Sequence, residues 1–172
     1  MKKKVAIYPG TFDPFTNGHL DLVERSLRIF DEVIIGIAPS LKKKPLFTVE
    51  ERLVLTRSCI RRYKRVSVEV FDGLLVKYVE ARKGIAIIRG LRAVSDFEYE
   101  LQMALMNRRL SQKIETVFMM PNEEYSFLTA TIVKEIASLG GPVTKLVPPQ
   151  VERELKKRLG EKTNHQRVRR SR

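Results

Sequence analysis

The chain has 172 residues, 43% hydrophobic and 31% charged, a balance that suits one soluble globular domain with a real core and excludes global disorder. Its apolar runs, such as VIIGIA from Val33, are too short to span a bilayer, and the start MKKKVAIYPG does not read as a signal peptide. The single cysteine, Cys59, forbids an internal disulfide and cannot build a metal site alone, so a reducing cytoplasm is the expected home.

Net charge is +13 and unevenly spread. Residues 152–172 carry nine Lys/Arg against three Asp/Glu, and residues 1–151 carry 24 against 17. The last thirteen residues, GEKTNHQRVRRSR, lack apolar periodicity and read as a basic, disordered tail, solvated and without a specific role. The excess on the body suits polyanionic ligands such as nucleotides.

In chain order, the apolar run at 4–8 predicts a buried strand, stopped by Pro9-Gly10. Leu20, Val23, Leu27 and Phe30 recur at helical spacing and predict a helix over 17–29. A second strand at 32–38 leads into a basic loop holding Lys42, Lys43 and Lys44. Thr48 and Glu51 form a capping box that opens a helix to about Tyr63. A strand at 66–71 is followed by a helix at 74–84 with a glycine stop. The fourth strand, 85–88, runs straight into Arg89-Gly-Leu-Arg92. Ser95 and Glu98 open a long helix to about Leu110, and a fifth strand spans 115–121. A helix at 130–141 ends on two glycines, and a last helix over 148–159 starts near two prolines. Short apolar strands alternating with amphipathic helices predict an α/β fold: a single Rossmann-like doubly wound domain over 1–159, with a five-stranded parallel sheet and helices on both faces. Ligands of such sheets bind outside the carboxyl ends of the strands.

The polar residues gather at those ends. The bend PGTFDPFTNGH matches neither the P-loop nor the dinucleotide fingerprint. Gly10 lets the backbone approach a ligand, Thr11 offers a hydroxyl and an N–H, and Thr16 or Asn17 can cap the helix that follows. His19 lies in that helix's first turn, where it can face an anion held by backbone amides; taken alone, a lone histidine reads as a packing residue and the bend as only a turn. The lysines at 42–44 could be a plain solvated run, but they leave the same sheet edge. Arg89 and Arg92 set guanidinium forks on either side of Gly90-Leu91. Ser126, Thr129 and Thr131 offer hydroxyls near a helix start, and Glu100 could accept from a ribose or pair with a neighbour. The sequence offers no carboxylate pair, Ser/His/Asp set or His/Cys cluster. Cationic and amide donors around one histidine suit phosphoryl or nucleotidyl transfer by positioning and charge stabilisation.

Together, YPGTFDPFTNGH, KKKP, IRGLRAVSDFEYE and YSFLTATIVKE resemble the phosphopantetheine adenylyltransferase family, from about Val5 to Leu159. TNGH marks the wider nucleotidylyltransferase superfamily, and IRGLRAVSDFEYE narrows the match. The resemblance implies Mg²⁺-assisted transfer of AMP from ATP to 4′-phosphopantetheine in a cytoplasmic hexamer. It gives His19, Lys43 and Arg92 catalytic roles, and gives ATP contacts to Thr11, Phe12, His19, Gly90, Leu91, Arg92, Glu100 and the run Tyr125, Ser126, Phe127, Leu128, Thr129, Ala130 and Thr131. Thr11, Lys43, Leu75 and Arg89 would meet the acceptor, with no protein ligand to a metal. Ala130 stands where a hydroxyl is common in the superfamily, so a phosphate contact there falls to its backbone N–H or is absent. A superfamily enzyme with another phosphate acceptor, such as nicotinate mononucleotide or glycerol phosphate, is one alternative. A nucleotide- or nucleic-acid-binding protein without catalysis is the other, and the lack of an aromatic-interleaved basic stripe argues against it.

Overall fold

The computed structural model describes residues 3–39, 45–92 and 94–170, with side chains for all of these except 94–96 and 161–170. Five strands, β1 (Val5–Gly10), β2 (Glu32–Ile37), β3 (Val66–Val70), β4 (Ala86–Gly90) and β5 (Glu115–Met119), form one sheet in the order β3-β2-β1-β4-β5. All four pairings are parallel. Six α-helices connect or follow them: α1 (Asn17–Ser26), α2 (Val49–Ile60), α3 (Leu75–Ala81), α4 (Val94–Leu110), α5 (Ala130–Ser138) and α6 (Pro149–Arg170).

Alternation along the central strands sorts the core into two layers. Ala6 and Tyr8 of β1 face a large layer with Leu22 and Val23 of α1, Ile60 of α2, Val133 of α5 and Leu155 of α6. Val5 and Ile7 face the other side, against Val76 and Val79 of α3 and Ile87 of β4. Helices therefore cover both faces, and the inner strands β1 and β2 are near-continuous apolar runs because both of their faces are buried, while the edge strands β3 and β5 are only partly covered. The predicted doubly wound, five-stranded parallel sheet is the observed one.

Some boundaries differ from the sequence-based expectation. Helix α1 ends at Ser26, where the Ser26 hydroxyl donates to Leu22 O at 2.6 Å and the chain turns so that Phe30 N reaches Ser26 O at 2.9 Å. Strand β1 continues through Pro9 and Gly10, past the predicted proline stop. It pairs with β2 along its whole length but with β4 only at Ala6 and Ile7. Beyond Tyr8 the two central strands separate, and Pro9, which has no N–H to donate, occupies the separated stretch. That is the point where strand order reverses, the place where open α/β sheets form a crevice. The backbone of α6 continues as helix to Arg170, past the periodic stretch that ends at Leu159.

Candidate active site

Three adjoining hollows open at the carboxyl edge of the sheet. An inner cavity of about 170 Å³ lies between Gly10 and Phe12 on one side and Gly90 and Arg92 on the other, floored by Tyr8 and His19. An outer cavity of about 470 Å³ shares Phe12, His19 and Arg92 with it and adds Thr11, Ala130, Thr131 and Lys134. A channel of about 310 Å³ shares Gly10, Arg89 and Glu100 with the inner cavity and runs past Thr11 and Leu75 to Tyr99 and Met103. Separately they are modest, and joined they reach the size of a cofactor-sized cleft.

Local chemistry sets each wall. Phe12 has φ 50°, which folds its ring back under Gly10; a Cβ on Gly10 would sit 2.9 Å from that ring, so only glycine fits there. A Cβ on Gly90 would likewise meet Leu22 Cδ1 at 2.6 Å. Thr16 is the N-cap of α1, and His19 stands at N3 in an unusual capping box. The Thr16 hydroxyl oxygen accepts from His19 N at 3.3 Å, while His19 Nδ1 accepts the Thr16 backbone N–H at 2.9 Å. Accepting that bond fixes the tautomer: Nδ1 is bare, and the proton of the neutral ring sits on Nε2. The ring is packed among Tyr8, Phe12 and Phe15. Burial first, and the charge of Arg92 second, hold its pKa down to about 3. His19 is thus a neutral, oriented N–H donor at the junction of the inner and outer cavities, and not a cation.

The two arginines at the end of β4, Arg89 within the strand and Arg92 just beyond it, behave differently. Arg89 is locked: Nε donates to Glu100 Oε2 at 2.6 Å, Nη2 donates to Glu100 Oε1, and Nη1 reaches Pro9 O at 3.2 Å. Of the two sequence-based options for Glu100, this is the ion pair. Arg92 is exposed, with Nη1 3.4 Å from Leu128 O, and borders both the inner and outer cavities. Thr129 caps α5 by accepting Ile132 N at 3.0 Å, which leaves its own O–H to donate outward.

Most of the predicted residues meet here. Phe12, His19, Gly90, Arg92, Glu100, Tyr125 and Leu128 line the inner cavity, Thr11 and residues 129–131 the outer one, and Thr11, Leu75 and Arg89 the channel. Leu91, Ser126 and Phe127 line none of the three: Leu91 N is spent on Met119 O, Ser126 N on Glu123 O, and Phe127 points to solvent. Lys43 lies outside the described residues, as does the side chain of the expected helix-opening Ser95. Sequence reasoning passed over Tyr8, Thr16 as the partner of His19, and the pair Asp13–Lys134, joined at 2.6 Å. Asp13 also accepts Leu46 N and Phe47 N, both at 2.9 Å, and so ties the β1–α1 bend to the start of α2. Its place inside the quoted motif was the available signal; its burial was not readable.

Residues 7–136 match the model of the cytidylyltransferase-like family. Over 154 residues the chain is 58% identical to a phosphopantetheine adenylyltransferase of Thermodesulfovibrio yellowstonii, covering 89% of this chain and 96% of the relative. The chain belongs to the phosphopantetheine adenylyltransferase family. A member from Moorella thermoacetica is 55% identical over 157 residues, 91% and 98% of the two chains, and one from Bordetella pertussis 54% over 158, 92% and 94%. Membership of the phosphopantetheine adenylyltransferase family thus covers nearly the whole chain. At the level of fold alone, the chain resembles a crystal structure from Vibrio parahaemolyticus provisionally named nicotinate-nucleotide adenylyltransferase, with TM-score 0.64, 19% identity and coverage of 90% and 92%.

Proposed function

We propose that this chain is an ATP-dependent nucleotidyltransferase that moves the adenylyl group of ATP to 4′-phosphopantetheine, giving dephospho-coenzyme A and pyrophosphate. The observation that carries this reading is family membership over nearly the full length. The crevice supports it with groups suited to the chemistry. The acceptor phosphate attacks the α-phosphorus in line from the channel side, and pyrophosphate leaves toward the outer cavity. Negative charge grows on the α-phosphate oxygens as the new P–O bond forms and the old one breaks. The Nε2–H of His19, held by the Thr16 bond, donates to one of those oxygens without reorganising, and Arg92 adds charge beside it. Lys43, on the basic loop, is proposed to bind the acceptor phosphate, Arg89 and Leu75 to bind the acceptor's arm, and residues 129–131 to hold the triphosphate at the α5 N-terminus.

Mg²⁺ is proposed to arrive with the nucleotide and to shield its triphosphate. Among the described residues no group of three or more His, Cys, Asp and Glu side chains is placed to hold a metal, and Asp13 is already paired with Lys134. The chain's own residues are proposed to bind the phosphates. A cytoplasmic site of action is proposed on the chemistry of the substrates; among the described residues, no helix is long and apolar enough to cross a membrane. Assembly into a homo-oligomer, a hexamer by resemblance, is supported by the apolar residues Leu105, Met106 and Leu110 exposed on α4.

Pyrophosphate release from ATP tests the activity. It should require 4′-phosphopantetheine, with none above background in its absence. Release supported by nicotinate mononucleotide and not by 4′-phosphopantetheine would overturn the acceptor assignment.

A further inference from the structure

Behind the phosphate-facing wall lies a charge that the reaction scheme above does not use. Arg52, in the first turns of α2, is 1% exposed. Its Nη1 donates to Thr11 O at 2.5 Å and to Ala38 O at 2.9 Å. Thr11 and Ala38 are the first residues beyond β1 and β2, and Ala38 N itself bonds Gly10 O at 2.9 Å. A single nitrogen thus clamps the exits of two neighbouring strands, one of which leads into the bend with His19 and the other into the basic loop.

The rest of the guanidinium is unusual. Nε and Nη2 are buried with no hydrogen-bond partner, and among the described residues no carboxylate stands within ion-pair distance of Arg52. Asp13 and Glu50 both act on it electrostatically from beyond ion-pair distance, and Asp13 already serves Lys134 and two backbone amides. A buried guanidinium without a paired counter-ion is costly, and a neutral amide could clamp two carbonyls as well. What needs a cation at this place is an anion on the far side of Thr11. Thr11 lines both the outer cavity and the channel, the two places where the proposed reaction puts phosphate groups.

We infer that Arg52 is an electrostatic positioning residue: it sets the Thr11 and Ala38 carbonyls and supplies, through the wall, a positive charge not neutralised by a direct ion pair, which makes the site prefer a phosphorylated acceptor. It touches no reacting atom. The inference rests on the acceptor reading above.

The test compares Arg52→Lys, which keeps the charge, with Arg52→Gln, which keeps an amide donor and loses it. Calorimetry gives the Kd of 4′-phosphopantetheine and of pantetheine, which lacks the phosphate, for each protein, with Tm measured alongside. Arg52→Gln should lose the preference for the phosphorylated ligand by roughly tenfold to thirtyfold, the effect of a unit charge acting over about 8–10 Å at an effective dielectric near 20. Its Kd for pantetheine should be unchanged, and Arg52→Lys should keep the preference within about threefold. An unchanged preference in Arg52→Gln overturns the inference, as does an equal loss in both variants that follows their Tm, which is the mark of a clamp alone. If Arg52→Gln does not fold, Arg52→Lys decides: a folded Lys variant without phosphate preference overturns it, and one that keeps the preference supports it. A wild-type protein that binds neither ligand would instead sink the acceptor reading.

Discussion

His19 shows how a backbone cap can define a catalytic donor. Its Nδ1 is engaged by the Thr16 N–H at 2.9 Å, so the ring cannot take a second proton there without breaking the first turn of α1. Ring packing and Arg92 act in the same direction. The folded pKa near 3 lies below the ordinary 6.5, so as pH falls the unfolded chain takes up the proton first. The stability that neutral His19 contributes is complete above about 6.5 and is lost progressively from there toward 3. In the free protein, NMR of the His19 imidazole should therefore show no protonation between pH 8 and 5; a titration near 6.5 would refute the neutral-donor assignment. Replacing His19 with Ala should lower kcat by roughly 10²–10³, the loss of one preorganised donor, with the fold kept. The motif made His19 visible in the sequence, and the neighbouring turn-formers made its place at a helix start visible too. Its charge state was not visible, because that depends on three aromatic rings and on Arg92, brought in from just beyond β4. Arg52 was invisible for the same reason: a buried arginine and a surface arginine read alike.

Among the elements, α2 and α6 hold the loop edge of the crevice in place. Thr48 caps α2, its hydroxyl accepting from Glu51 N at 3.2 Å, and the Glu51 carboxylate accepts in turn from Thr48 N at 2.8 Å. Arg158 of α6 pairs with Glu51 and lies over the Phe47 ring, its centre 5.3 Å away. Thr48→Ala should cost about 1 kcal/mol and lower Tm by roughly 2–4 °C with turnover unchanged; a Tm equal to wild type would show that the cap is replaceable by water. This capping box was readable from Thr48 and Glu51 three residues apart. The extension of β1 through Pro9 was not, since a proline within a run ordinarily ends a strand. Only the parting of β1 from β4, a tertiary event, lets it stay.

For the whole molecule, the alternation of buried strands and amphipathic helices was enough to expect a doubly wound parallel sheet, and the sheet edge then told where to seek the site. What periodicity cannot separate is a face turned to the core from one turned to another copy. On α4, Leu105, Met106 and Leu110 stay about half exposed, although the helix looked in sequence like any other amphipathic one. Leu105→Glu should shift the protein to smaller species in light scattering while leaving the sheet's circular dichroism intact. A wild-type mass equal to one chain would remove the oligomer from the proposal.

The parting of β1 from β4 leaves two hollows with one common wall of Arg89 and Glu100. In the proposed reaction each substrate fills one hollow and can leave by itself, whereas the dinucleotide-like product would span both and would have to release both grips together. Linking the two halves gives it an effective-concentration advantage over either substrate. Departure of product is then the expected slow event of the cycle. Rapid mixing should show a fast burst of pyrophosphate near one equivalent per site, followed by a slower steady phase. A trace linear from the start would place the slow step at or before bond-making.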